Sequence, residues 1–251
     1  MGSPVYSFYD YDKQLFERLR DHVKHALESF SEDSKLIRYG NSLRKTFYDM
    51  LKYAIILHDF GKVSFNQAML RFNKGIKKVG FEGHEVLSAW FADKYLEHVE
   101  DEGLLGYGDG KYIVLSILLH HHPMDLRDRA EKLREKKYIC VNNETLTLFY
   151  NELREVFDLT RPISLESAVC APEIVNGVLG PYNSIFRTYW SDIWMNGKPA
   201  ERKVFLLLTQ GLIAADYRSA SVTRGEGISE FAETVRAYLK YYGVSHFAGS
   251  K

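Results

Sequence analysis

The run "MLKYAIILHDFGK" ends an apolar stretch with His58, Asp59 and Lys62. Leu43, Phe47, Leu51 and Ala54 recur at helical spacing, and His58 continues their row. A polar side chain on the buried face of a helix costs free energy unless something pairs with it. The arrangement recurs along the chain. Leu15, Leu19, His22 and Ala26 share a face of a helix expected over roughly 11–30. His84, Leu87, Phe91 and Tyr95 share another, as do Ile113, Ile117 and His120, and Phe205, Leu208, Leu212 and Asp216. One such histidine reads more simply as a hydrogen-bonded core residue. Converging stripes bring His22, His58, Asp59, His84, His120, His121 and Asp216 to one point. A divalent metal offsets their burial, and imidazole with carboxylate suits Mn, Fe, Co, Ni or Zn. These ligands exceed the needs of one catalytic ion and suit two ions sharing a bridging carboxylate. Two positions stay open: His25, one turn after His22, and the shifted pair His121–His122 within "HHH". The register of Leu19 favours His22, and that of Ile117 favours His120–His121.

These stripes give an all-α reading, a helical bundle with the metal site between core helices. The second helix is expected over roughly 42–60, and clean period-two alternation is nearly absent. Neither an internal repeat nor a low-complexity linker divides the 251 residues, so 1–251 reads as one domain. Residues 125–196 read as a charged and aromatic-rich helical excursion within it. Lys plus Arg equals Asp plus Glu at 33 each, so any nucleic acid is held by local patches rather than net charge. The longest apolar runs are too short or interrupted to span a bilayer, and no secretory signal opens the chain. Cys140 and Cys170 lie outside any CxxC motif. They are expected as free thiols in a reducing, cytoplasmic setting, and not as a disulfide.

The order His…His-Asp…Asp resembles the signature of HD-superfamily metal-dependent phosphohydrolases. The fuller pattern H, HDxGK, H, HH, D is similar to that of the HD nuclease of type I CRISPR systems, from His22 to Asp216. The resemblance implies an HD-domain fold and a metal-dependent nuclease that cleaves single-stranded DNA in antiviral defence. It implies two divalent ions (Mg, Mn, Fe, Co or Ni), with Asp59 bridging them. His22, His58 and Asp216 would complete one site, and His84, His120 and His121 the other. "GxxxxGK[ST]" does not occur, which implies a separate helicase subunit and, through it, an RNA-guided surveillance complex as partners. The ions would bind phosphoryl oxygens and acidify the attacking water. No covalent nucleophile stands out. Lys62 would face the scissile phosphate or simply sit as a cation at a helix end.

For substrate grip, "RFNKGIKK" carries Arg71, Lys74, Lys77 and Lys78 without an acid and is expected to rim the site. The aromatic-dense stretch 182–197 reads as a core or docking helix. Asp59→Ala is expected to relieve repulsion with Asp216 in the metal-free fold. Two other functions fit the same residues: hydrolysis of small nucleotides, and a non-catalytic docking scaffold.

Overall fold

The computed structural model describes residues 4–70, 75–121, 124–157, 159, 162–225 and 229–243. The chain is mostly helical, but it opens with a hairpin. β1 (Tyr6–Asp10) pairs antiparallel with β2 (Leu15–Arg18), placing Tyr9 opposite Phe16. Aromatic rings meeting across the pair favour this over a helix: Phe16 packs on Tyr6 and Tyr9, with centroids 6.2 and 5.1 Å away. The helix expected over 11–30 is therefore corrected. α1 (Leu19–Leu27) starts at Leu19, and Leu15 lies in the strand before it.

The helix expected over 42–60 is also shortened: α2 (Lys35–Leu43) ends just inside it, α3 (Phe47–Leu57) fills most of it, and α4 (Gly61–Phe65) starts after it. A buried carboxylate far along the chain holds the first break. Asp109 accepts a hydrogen bond from Thr46 Oγ1 at 2.6 Å and pairs with the Arg44 guanidinium. A π-helical turn (Asn66–Leu70) follows α4. Then come α5 (His84–Asp101), α6 (Gly110–Leu119), α7 (Leu126–Glu135) and α8 (Asn143–Leu153). The chain continues through α9 (Ala171–Leu179), α10 (Ile185–Trp190), a second π-helical turn (Ser191–Met195), α11 (Pro199–Arg224) and α12 (Glu230–Tyr242).

α3 and α6 are apolar nearly all round and therefore central. They pack on each other, α11 lies across both, and α1 and α5 close the sides. The helices of 125–196 cover this centre: α9 packs on α5 and α7, and α8 on α1 and α4. Phe149 of α8 and Phe91 of α5 enclose Phe60, whose ring stacks on Phe91 at 3.8 Å.

The free-thiol reading is corrected as well. Cys140 and Cys170 form a disulfide. They stand opposite each other in β3 (Cys140–Val141) and β4 (Val169–Cys170), with Cα atoms 3.9 Å apart. The two cysteines are 30 residues apart in sequence, so no local spacing marks the pair. None of the described helices is long and apolar enough to cross a membrane.

Candidate metal centre

Helix ends deliver most of the site. His58 is the residue that ends α3, and His120 ends α6. The last carbonyls of a helix lack intrahelical partners. Each ring uses one: His58 Nδ1 donates to Ile55 O at 2.7 Å, and His120 Nδ1 donates to Ile117 O at 2.6 Å. His84 opens α5, and its Nδ1 donates to Phe81 O at 2.8 Å. Left-handed Gly83, with φ of 87°, turns the chain into that helix. His22 and Asp216 come from within α1 and α11.

A carbonyl can only accept, so the rings of His58, His84 and His120 each carry a proton on Nδ1, which leaves Nε2 as the atom that a neutral ring offers to a cation. Those three Nε2 atoms and Asp59 Oδ1 are buried without a hydrogen-bond partner. They point at one another. His84 Nε2 lies 3.1 Å from Asp59 Oδ1, and His58 Nε2 lies 3.5 Å from Asp59 Oδ2 and 3.6 Å from Asp216 Oδ1. Carboxylate oxygens and imidazole nitrogens facing one another need positive charge between them, which a proton or a divalent cation supplies. The donor set falls into three overlapping groups: His22, His58 and Asp216; His84, His120 and His121; and His58, Asp59 and His120. Within each, the ligand atoms lie within 4.8 Å of one another. These residues fit divalent metal.

His22 shows what balances the charge without metal. Its Nδ1 donates to Ser219 Oγ at 3.0 Å, whose own hydroxyl donates to His22 O at 2.6 Å. Its Nε2 faces Asp216 Oδ1 at 3.0 Å and Asp59 Oδ2 at 3.4 Å. Burial disfavours the charged ring, but the hydrogen bonds to Asp216 and Glu17 and the charge of Asp59 outweigh it and raise the pKa to about 9. A proton thus occupies Nε2 where a cation fits. Lys62 Nζ, buried, donates to Asp59 Oδ2 at 2.7 Å. Burial would raise the Asp59 and Asp216 carboxyls, but the facing histidines, with Lys62 at Asp59, hold both well below the carboxylate range. Burial, then the His58 and His84 rings, pushes His120 down to about 4. Burial, then His120 and His84, pushes His121 down further.

Supporting residues escaped the sequence reading. Glu17 of β2 is buried and accepts hydrogen bonds from Ser7 Oγ at 2.8 Å and Thr223 Oγ1 at 3.0 Å. Beside His84, buried Glu85 receives a two-pronged bond from Arg129 of α7 at 2.6 and 2.8 Å. The sign that could have revealed the hairpin holding Glu17 is the aromatic alternation of "YSFYD" followed by "LFER".

A cavity of about 530 Å³ opens over the cluster, reaching Lys62, His120, His121 and Asp216 at its floor. His25 belongs to none of the ligand groups; its carbonyl accepts from Arg218. Lys77 and Lys78, expected at the rim, are exposed residues running beside β1, and neither lines this cavity. Lys77 Nζ meets Asp12 at 3.2 Å. Arg71, Lys74 and His122 lie outside the described residues.

Compared with protein-family models, curated proteins and solved structures, the chain matches none. The HD-nuclease resemblance therefore rests on the residue pattern.

Proposed function

We propose that this chain is a metal-dependent phosphodiesterase of the HD-nuclease type, cleaving single-stranded DNA. The observation that carries the reading is the set of buried atoms without a hydrogen-bond partner, Nε2 of His58, His84 and His120 and Oδ1 of Asp59, with His22, His121 and Asp216 beside them. Bound there, a pair of divalent cations supplies Lewis acidity toward phosphoryl oxygens and acidifies a water. Asp59 Oδ1 and Oδ2 already face opposite halves of the cluster, toward His84 and toward His22. That suits a bridging carboxylate. The three-residue groups of His22, His58 and Asp216 and of His84, His120 and His121 would each hold one of the two ions.

Lys62, held on Asp59 at the cavity floor, would add positive charge where a pentacoordinate phosphate is most negative. In the reaction, the water oxygen bonds to phosphorus as the bond to the leaving oxygen breaks. The water gives up a proton to solvent, and the leaving oxygen takes one from solvent. The motor that exposes the strand would be a helicase working with an RNA-guided complex, the partners that the resemblance to HD nucleases implies.

The deciding experiment incubates the metal-loaded protein with labelled single-stranded DNA, duplex DNA, RNA and a nucleotide panel. Cleavage of single-stranded DNA supports the reading. Hydrolysis confined to nucleotides would replace it with a small-nucleotide phosphohydrolase, a reading that the cavity volume also suits. No hydrolysis in any arm would leave the docking scaffold.

A further inference from the structure

The cavity over the cluster has a polar floor and an apolar wall. The wall comes from α11 and α12. Ile213, Tyr217 and Ala220 continue the side of α11 that carries Asp216, and Phe231 of α12 faces them. The Phe231 and Tyr217 rings meet edge to face, with centroids 5.5 Å apart and planes at 83°. Phe231 is 46% exposed. Its exposure is not needed to dock α12, because the neighbouring Ala232 and Val235 are the buried residues of that helix. A large aromatic ring thus stands at the wall of a cavity whose floor is the candidate metal centre, without serving the core.

We propose that Phe231, braced by Tyr217, is a stacking platform for the base adjoining the phosphate at the cluster, and that it makes the site select unpaired nucleotides. This rests on the phosphodiesterase reading above. Every base offers a π-face to an aromatic ring, whatever its sequence. In a duplex those faces are covered by neighbouring bases, and a paired base cannot turn toward the wall without unstacking. The platform discriminates strandedness without hydrogen bonds to base edges, so it predicts little sequence preference.

The test uses the full chain and a short single-stranded oligonucleotide carrying 2-aminopurine, whose fluorescence is quenched by stacking. With chelator present, binding to the wild type quenches the probe. Phe231→Ala removes the quench and weakens binding about tenfold, and Phe231→Trp restores both. On a strand with an abasic residue at the same place, wild type and Phe231→Ala bind equally. Binding without quenching, or equal weakening on normal and abasic strands, overturns the platform. Adding metal to the same wild-type complex separates the two readings. Cleavage without quenching rejects the platform alone, whereas quenching without cleavage rejects the phosphodiesterase reading alone.

Discussion

Glu17 Oε2 lies 3.3 Å from His22 Nδ1, and both side chains are almost wholly buried. This carboxylate, with Ser219, holds a proton on His22 Nδ1 and turns Nε2 toward Asp59 and Asp216. Outer partners of this kind tune metal affinity by roughly ten- to hundredfold. Glu17→Gln preserves the volume and removes the charge. Its metal affinity, measured by competition with a chromophoric chelator, is expected to fall within that range while the helical circular-dichroism spectrum stays unchanged. Wild-type affinity in this variant would make Glu17 a hairpin anchor only, tied to Ser7 and Thr223.

The metal-free protein is expected to be most stable near pH 6.5. His22 is raised from 6.5 to about 9, so its contribution is fully present below 6.5 and is lost as the pH rises through 9. His120 is lowered from 6.5 to about 4, so its contribution is present above 6.5 and is lost as the pH falls through 4. Glu17, lowered from 4.5 to about 2, adds a further loss at lower pH. A cation that replaces the proton on His22 Nε2 removes the alkaline loss. Calorimetry across pH 5–9 should therefore show the Tm gain from metal growing from pH 6.5 upward. A gain independent of pH would place the cation away from His22.

The clustering of the candidate site was legible in the sequence because its residues interrupt apolar rows. His58 and His120 sit at the ends of rows that become the central helices α3 and α6, and Asp216 sits on the row of α11. Periodicity reports that burial directly. It reports nothing about partners distant in sequence. The break between α2 and α3 depends on Asp109, the orientation of His22 on Glu17, and the pairing of Cys140 on Cys170. The row that recommended His22 was itself partly mistaken, since Leu15 belongs to a strand. Leu19 and Ala26 were enough to place His22 on the buried side of α1.

Gly61 of the "HDFGK" run sets how closely α4 approaches α5. A Cβ there would lie 2.2 Å from the His84 carbonyl oxygen, and the Gly61 N–H donates to Ser88 Oγ at 2.8 Å. Gly61→Ala should cost about 1–3 kcal/mol and displace His84 from the cluster. Gly80→Ala, where an added Cβ meets nothing within 4 Å, is the control. Thermal melts with metal stoichiometry read the result: Gly61→Ala loses stability and metal, and Gly80→Ala loses neither. Full metal content in Gly61→Ala would show that the helices can separate without moving the ligand.

Reduction of Cys140–Cys170 should lower stability without touching the site. The bridge closes a loop between residues 30 apart, for which chain entropy gives about 3–4 kcal/mol. It ties the connection before α8 to the start of α9, and neither cysteine belongs to a ligand group. Melts with and without reductant, with intact mass under both conditions, should give a lower Tm and two added protons at unchanged metal content. Loss of metal on reduction would instead couple the bridge to His84, through α9, α7 and the Arg129–Glu85 pair.

Asp59 carries the sharpest prediction, because the structure reverses the expected sign of one effect. Relief of repulsion with Asp216 was the reason to expect a more stable metal-free fold in Asp59→Ala. The Asp59 carboxylate instead faces His22, His58 and His84 and accepts a hydrogen bond from buried Lys62. Its carboxyl is held well below the usual range, so ionised Asp59 stabilises the fold above that range. Removing it strands a buried ammonium, a change that costs about 3–5 kcal/mol. Asp59→Ala should therefore bind neither cation, cleave nothing and melt earlier. Adding Lys62→Met removes the stranded charge, and the double variant should recover most of the stability and none of the cleavage. Denaturant melts of the two variants, beside single-turnover assays, separate the roles. A stable Asp59→Ala would mean that Lys62 finds another partner, and cleavage by either variant would end the account in which Asp59 bridges the site.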